Sequence, residues 1–216
     1  PEGIVGDFLF TLLGPPFDFE TIESVFPNDT FTGRRDVKVG DKTVELIEVG
    51  PAHTGGDVLV HVPSDRVVYT GDIVFLTNTP IIWSGPARNW ITALDLMLDM
   101  DVDTIVPGHG PITDKKGVRK VKEYLEHVER ESRRRFDAGM NEMEAVQDIS
   151  LEEFEHWGGA ERIVVNVIQM YKQFRNDPTP VNIPEAFALM APYALRARKR
   201  RSEAPSAPAA KGCCPH

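Results

Sequence analysis

Three side chains able to bind a metal stand at the ends of short apolar runs in this chain of 216 residues. His53 lies in Gly50-Pro51-Ala52-His53-Thr54-Gly55-Gly56-Asp57, Asp72 closes Val68-Tyr69-Thr70-Gly71-Asp72, and His109 lies in Val106-Pro107-Gly108-His109-Gly110-Pro111. Two neutral imidazoles and a carboxylate are donors that suit zinc, and the Gly and Pro around each let the backbone turn sharply enough to aim it. Asp57, four residues after His53, is placed to brace the turn or hydrogen-bond a ligand from behind. His53 is the first histidine of the chain, so any ligand set that needs upstream histidines is incomplete here.

The elements that must carry these side chains read as alternating strands and helices. Val37 and Val39, a Gly40-Asp41 turn, then Val44, Leu46, Ile47 and Val49 make a hairpin. A second follows, with Val58, Val60 and Val62 on one face, a turn at Pro63-Ser64-Asp65, and Val67-Val68-Tyr69 returning. A loop over 76–86 with Ile81-Ile82-Trp83 embedded in it could line a pocket, and a helix is expected over 89–99. Thr104-Ile105-Val106 is a short buried strand, and Thr113-Asp114 caps a long amphipathic helix over 115–135. Helical segments are expected over 142–148, 151–157, 161–174 and 184–201, and Phe8-Leu9-Phe10 with Leu12-Leu13 reads as a short helix before Gly14-Pro15-Pro16. This alternation implies a layered α/β architecture.

The wording of the three segments resembles the later motifs of the metallo-β-lactamase-fold hydrolases. Pro51 to Asp57 is similar to the third motif, Gly71-Asp72 to the fourth, and Gly108-His109-Gly110-Pro111 to the fifth. The resemblance implies an αββα sandwich, here incomplete at the N-terminus, with a helical C-terminal extension. It divides the chain into a partial metallo-β-lactamase-like domain over 1–136, a helical extension over 137–201 and a disordered tail over 202–216. It also implies two zinc ions in the complete protein: His53 on the first, Asp72 bridging both and acting as the catalytic carboxylate, His109 on the second, and Asp57 behind them. The implied activity is hydrolysis of an ester, thioester or amide carbonyl in a small-molecule substrate by a metal-bound hydroxide. Asp72, where the β-lactam-specialised branch carries Cys, looks more like the broad hydrolase branch with its thioesterases and lactonases.

The family's second motif, His-x-His-x-Asp-His, is absent from this chain. Either the chain is the C-terminal portion of a longer enzyme, the reading we favour because the three later motifs and their glycines are intact, or it is a non-catalytic member acting as a binding or regulatory protein. Loss of the upstream strands would leave an apolar sheet face uncovered.

Composition bounds the remaining possibilities. A net charge of -9 and no apolar run of membrane-spanning length disfavour nucleic acid and membrane as partners, although Arg196-Ala197-Arg198-Lys199-Arg200-Arg201 is locally basic and reads as a solvated helix end. Cys213 and Cys214 are the only cysteines and make no disulfide framework, so a reducing, cytoplasmic location is the default. His61 reads as a surface or packing residue, His127 and His156 as solvated helix positions, and Trp83 and Trp90 as packing or pocket residues. Asn28-Asp29-Thr30 fits a glycosylation acceptor, which matters only in a secreted protein.

Overall fold

A computed structural model describes residues 3–14 and 21–203. The period-two pattern of the sequence becomes one mixed sheet of strands β1 (Arg34–Val39), β2 (Lys42–Glu48), β3 (Val58–Val62), β4 (Val67–Tyr69) and β5 (Thr104–Val106), in the order β1-β2-β3-β4-β5. The first four are antiparallel neighbours, and β5 joins β4 in parallel after a crossover. That crossover holds helix α2 (Ala87–Asp99). Because β2, β4 and β5 run in one direction, their C-terminal ends share one edge of the sheet, and the segments carrying His53, Asp72 and His109 all leave from it.

The two faces of the sheet differ. Register places Ile47 opposite Leu59 and His61 opposite Val68, with Val68 beside Ile105, and all five are buried. The alternate positions, Leu46, Val60, Val62, Val67 and Val106, are only half buried, and Val39 and Tyr69 are 60% and 48% exposed. Of the two sheets in the expected sandwich, the described residues contain one, and the face that would meet the other is open.

Helices complete the covered side. Helix α3 (Lys115–Asp137) starts where the Asp114 carboxylate accepts from the Lys116 N–H at 2.7 Å, and buries Val118, Val121, Tyr124, Leu125 and Val128 along one stripe. It packs against α2 and against α5 (Ile163–Phe174), while α4 (Glu142–Asp148) opens with a capping box of Asn141 and Glu144. Helices α1 (Gly3–Leu13) and α6 (Ile183–Glu203) pack together, with Phe8 and Trp83 both against Phe187. Among the described residues no helix is long and apolar enough to cross a membrane.

Two expectations are corrected here. Residues 151–157 form a 3₁₀ turn at Glu152–Phe154 instead of a helix, because Glu152 takes a left-handed φ of 49° that an α-helix cannot continue. His127 is buried: its Nε2 lies 2.8 Å from the Ser150 carbonyl oxygen, and the turn after α4 covers it. His156 is exposed within that turn, and Asp29 of the glycosylation-like triplet pairs with Arg35. Pro15, Pro16, the tail from 204 and its cysteines lie outside the described residues.

Candidate metal centre

The loop that carries His53 is organised around Asp57. The Asp57 carboxylate accepts from the Ala52 N–H at 3.1 Å, the Thr54 N–H at 3.0 Å and the Thr54 hydroxyl at 2.8 Å. With its oxygens spent inside the turn, Asp57 shapes the loop and leaves His53 to face outward from it. The His53 backbone carbonyl in turn accepts the Trp83 and Ser84 N–H groups at 3.1 and 3.2 Å, which ties the loop to the segment over 81–85.

His53 is fixed through both ring nitrogens. Its Nδ1 lies 2.7 Å from the Ile81 carbonyl oxygen, which can only accept, so Nδ1 carries the proton. Its Nε2 then faces Asp72 Oδ2 at 3.2 Å, while His109 Nε2 lies 3.4 Å from the other oxygen, Oδ1. Asp72 therefore sits between the two imidazoles. Phe75 supports all of this: its ring stacks on His109 at 4.4 Å between centroids and touches His53 at 5.6 Å. Trp90, fully buried, meets His53 edge-on and donates its indole N–H to the Ile73 carbonyl at 2.8 Å.

Close backbone approach explains one glycine. Gly108 N–H donates to the Gly71 carbonyl at 2.9 Å, and a Cβ at Gly108 would collide with that carbonyl and with Asp72 Oδ1. Only glycine lets the His109 segment lie against the Asp72 turn.

Asp72 keeps its carboxyl below the usual carboxylate range, through the His53 hydrogen bond and then the charges of His53, His109 and Arg162. Sequence reasoning missed Arg162. Its guanidinium lies 5.5 Å from the Phe75 ring centroid and donates from Nη1 to the Thr79 carbonyl at 2.8 Å, and burial pulls it below the ordinary guanidinium range.

Two more missed residues follow it on α5. Asn166, fully buried, donates from Nδ2 to the Pro80 carbonyl at 2.9 Å and accepts the Ile82 N–H at 3.0 Å, so its amide brackets Ile81. Gln169 donates to the Trp83 carbonyl at 2.6 Å. The carbonyl that orients His53 is thus held from α5. The signal in the sequence was two polar side chains, at 166 and 169, inside the apolar run from Ile163 to Tyr171, with Arg162 just ahead of it.

Elsewhere, His61 pairs with Glu45 at 2.9 Å on the covered face of the sheet, away from the strand ends. Trp83 is partly buried against the core.

The donors can be tested against a metal ion. A carboxylate oxygen and an imidazole nitrogen 3.2 Å apart match the spacing of two ligands on one ion, since ligands about 2.0–2.1 Å from a tetrahedral ion stand about 3.3–3.4 Å apart. Kind and spacing fit. Number falls short: each imidazole with Asp72 supplies two donors, where zinc sites take three or four, and the described residues hold no group of three or more His, Cys, Asp or Glu placed for a metal.

Comparison with known proteins decides the family. A profile of the metallo-beta-lactamase superfamily matches residues 4–109, ending on His109. The matched stretch belongs to the metallo-beta-lactamase superfamily. It is 33% identical over 92 residues to beta-lactamase-like protein 2 homolog of Caenorhabditis elegans, covering 43% of this chain and 30% of that protein. It is 33% identical over 86 residues to the 2,4-dinitroanisole O-demethylase subunit alpha of a Nocardioides species, covering 37% and 25%. The chain therefore spans between a quarter and a third of these relatives. Among solved structures, the stereoselective inverting sec-alkylsulfatase of a Pseudomonas species superposes with a TM-score of 0.56 at 14% identity over 69% of this chain and 27% of that one. A metallo-beta-lactamase family protein from Thermus thermophilus gives 0.53 at 15% identity over 82% and 61%. These structures share the fold.

Proposed function

We propose that His53, Asp72 and His109 form the metal-binding edge of a zinc-dependent hydrolase of the metallo-beta-lactamase superfamily, acting on an ester, thioester or amide carbonyl of a small-molecule substrate. The observation that carries this reading is the Asp72 carboxylate set between two imidazole Nε2 atoms at 3.2 and 3.4 Å. Zinc bound there supplies electrophilic polarisation of the scissile group and acidity to a water molecule.

The chain's own residues have separable tasks. Asp72 keeps both imidazoles in register, one on each carboxylate oxygen. His53 is aimed by the Ile81 carbonyl and by the Asp57-braced turn, so little reorientation remains when its donor is used. His109, 46% exposed along its side chain, and Asp72, 39% exposed, border solvent, so substrate enters from their side. The donors that complete each ion lie outside the described residues, and the open sheet face is where a segment carrying them packs.

Zinc content and turnover of the whole protein test this reading. We expect about two zinc ions per protein, loss of most of that zinc in Asp72→Ala, and loss of ester or thioester hydrolysis with it; His61→Asn, a histidine away from the edge, keeps its zinc. Unchanged turnover in Asp72→Ala would rule the assignment out. The short donor set favours a second reading, a non-catalytic binding member of the fold, for which the whole protein would hold no zinc and hydrolyse nothing.

A further inference from the structure

Arg162 is a half-buried cation with few direct partners. Guanidinium groups enter protein interiors paired, because burying an uncompensated charge is costly. Among the described residues no carboxylate makes a direct ion pair with Arg162, although the charges of Glu161 and Asp72 act on it, and its side chain makes one hydrogen bond, from Nη1 to the Thr79 carbonyl. A guanidinium has five N–H donors, so most of the fork is left for something else.

Its position says what that is. One buried ring, Phe75, touches His53, His109 and the Arg162 guanidinium. Arg162 also immediately precedes α5, a helix of 12 residues whose first N–H groups point the same partial charge toward the chain entering it. In a protein of net charge -9, a guanidinium with most of its N–H groups unbonded beside the candidate metal centre is a local attraction for anions.

We infer that Arg162 is an anion anchor, and that the substrate carries an oxyanion group, carboxylate, phosphate or sulfate, which the guanidinium fork holds beside the His53, Asp72 and His109 edge. The planar fork matches two oxygens at once, which selects this class over neutral polar groups. Calling the ligand a substrate rests on the hydrolase reading; the anion site does not.

The test is an NMR titration of the full chain with acetate, inorganic phosphate and inorganic sulfate, each at ionic strength matched by chloride. At least one of the three should shift the Arg162 Nε–H and the Phe75 ring signals along a saturating curve. Saturation by acetate assigns the site to carboxylates, and saturation by phosphate or sulfate to tetrahedral anions. Arg162→Gln should weaken that binding at least about tenfold, the scale of one charged hydrogen bond. Arg162→Lys keeps the charge and a donor for Thr79 but loses the fork; it should bind between the two while the Thr79 and Ile81 amide signals stay at their wild-type positions. A linear response to all three anions, or equal saturation in wild type and Arg162→Gln, would overturn the inference. Zinc content and Asp72→Ala turnover are read separately, so failure of the anion site and failure of the hydrolase reading are distinguishable.

Discussion

The two faces of the sheet are built from similar residues and end up in different surroundings. Leu59, Val68 and Ile105 are fully buried beneath the helices, whereas Val60, Val67 and Val106, their alternates along the same strands, are half covered, and Tyr69 is 48% exposed. The candidate metal centre repeats the asymmetry at the sheet edge. His53 is 11% exposed along its side chain and tied through its backbone and both ring nitrogens; His109 is 46% exposed, its backbone bonded to Leu76 but its ring held by a stack and Asp72. Apolar content therefore does not decide what is core here. Covering elements do, and this chain supplies them for one side.

Paired truncations on one strand give the largest expected contrast. Leu59→Ala should cost about 2–5 kcal/mol in urea unfolding, since it leaves a cavity under the helices, while Val60→Ala should cost under about 1 kcal/mol because its neighbours already border solvent. Equal losses would mean that the open face is covered and that the contrast is false.

The next effect probes the tie between α5 and His53. Asn166→Leu leaves the Pro80 carbonyl and the Ile82 N–H without their partner, an expected loss of about 1–3 kcal/mol by chemical unfolding. Imidazole ¹⁵N shifts should show His53 losing its single Nδ1–H tautomer, while the Trp90 indole N–H, bonded to Ile73 on the other side of His53, stays in place. A His53 tautomer unchanged by Asn166→Leu would show that the Ile81 carbonyl needs no clamp. Trp90→Phe should cost a similar amount, about 1–3 kcal/mol, since it strands the buried Ile73 carbonyl and opens a gap where the indole packed.

A pH series supplies the smallest effect, away from the site. Glu131 bonds Arg135 at 2.7 Å, and that hydrogen bond and charge hold its carboxyl below the ordinary glutamate range. A lowered folded-state pKa gives stability that is present above the unfolded value and lost as pH falls through the folded one. Glu131→Gln should therefore be less stable than wild type by under about 1 kcal/mol near neutral pH and indistinguishable from it in strong acid, read from unfolding midpoints.

Much of this is legible in the sequence for local reasons. Alternating valines bounded by Gly40-Asp41 and Pro63-Ser64-Asp65 mark both hairpins, and three strand ends punctuated by Gly and Pro locate His53, Asp72 and His109. What escapes depends on partners far along the chain. Asn166 inside Ile163-Val164-Val165-Asn166-Val167 is locally an oddity, and only the return of the segment over 80–82 gives it a purpose. His127 looks solvated because the turn that buries it begins 23 residues later, at Ser150, and Arg162 looks like one more surface charge.

The grip of α5 on the His53 loop also orders events in time. Asn166 reaches residues 84 and 86 positions away, and Gln169 reaches one 86 away, so these bonds close a long stretch of chain at an entropic cost that local hairpins escape. A chain growing from its N-terminus can pair β1 through β4 before α5 exists. Until α5 docks, the Ile81 carbonyl and the His53 ring stay loose, so the strands assemble early and the donor geometry last.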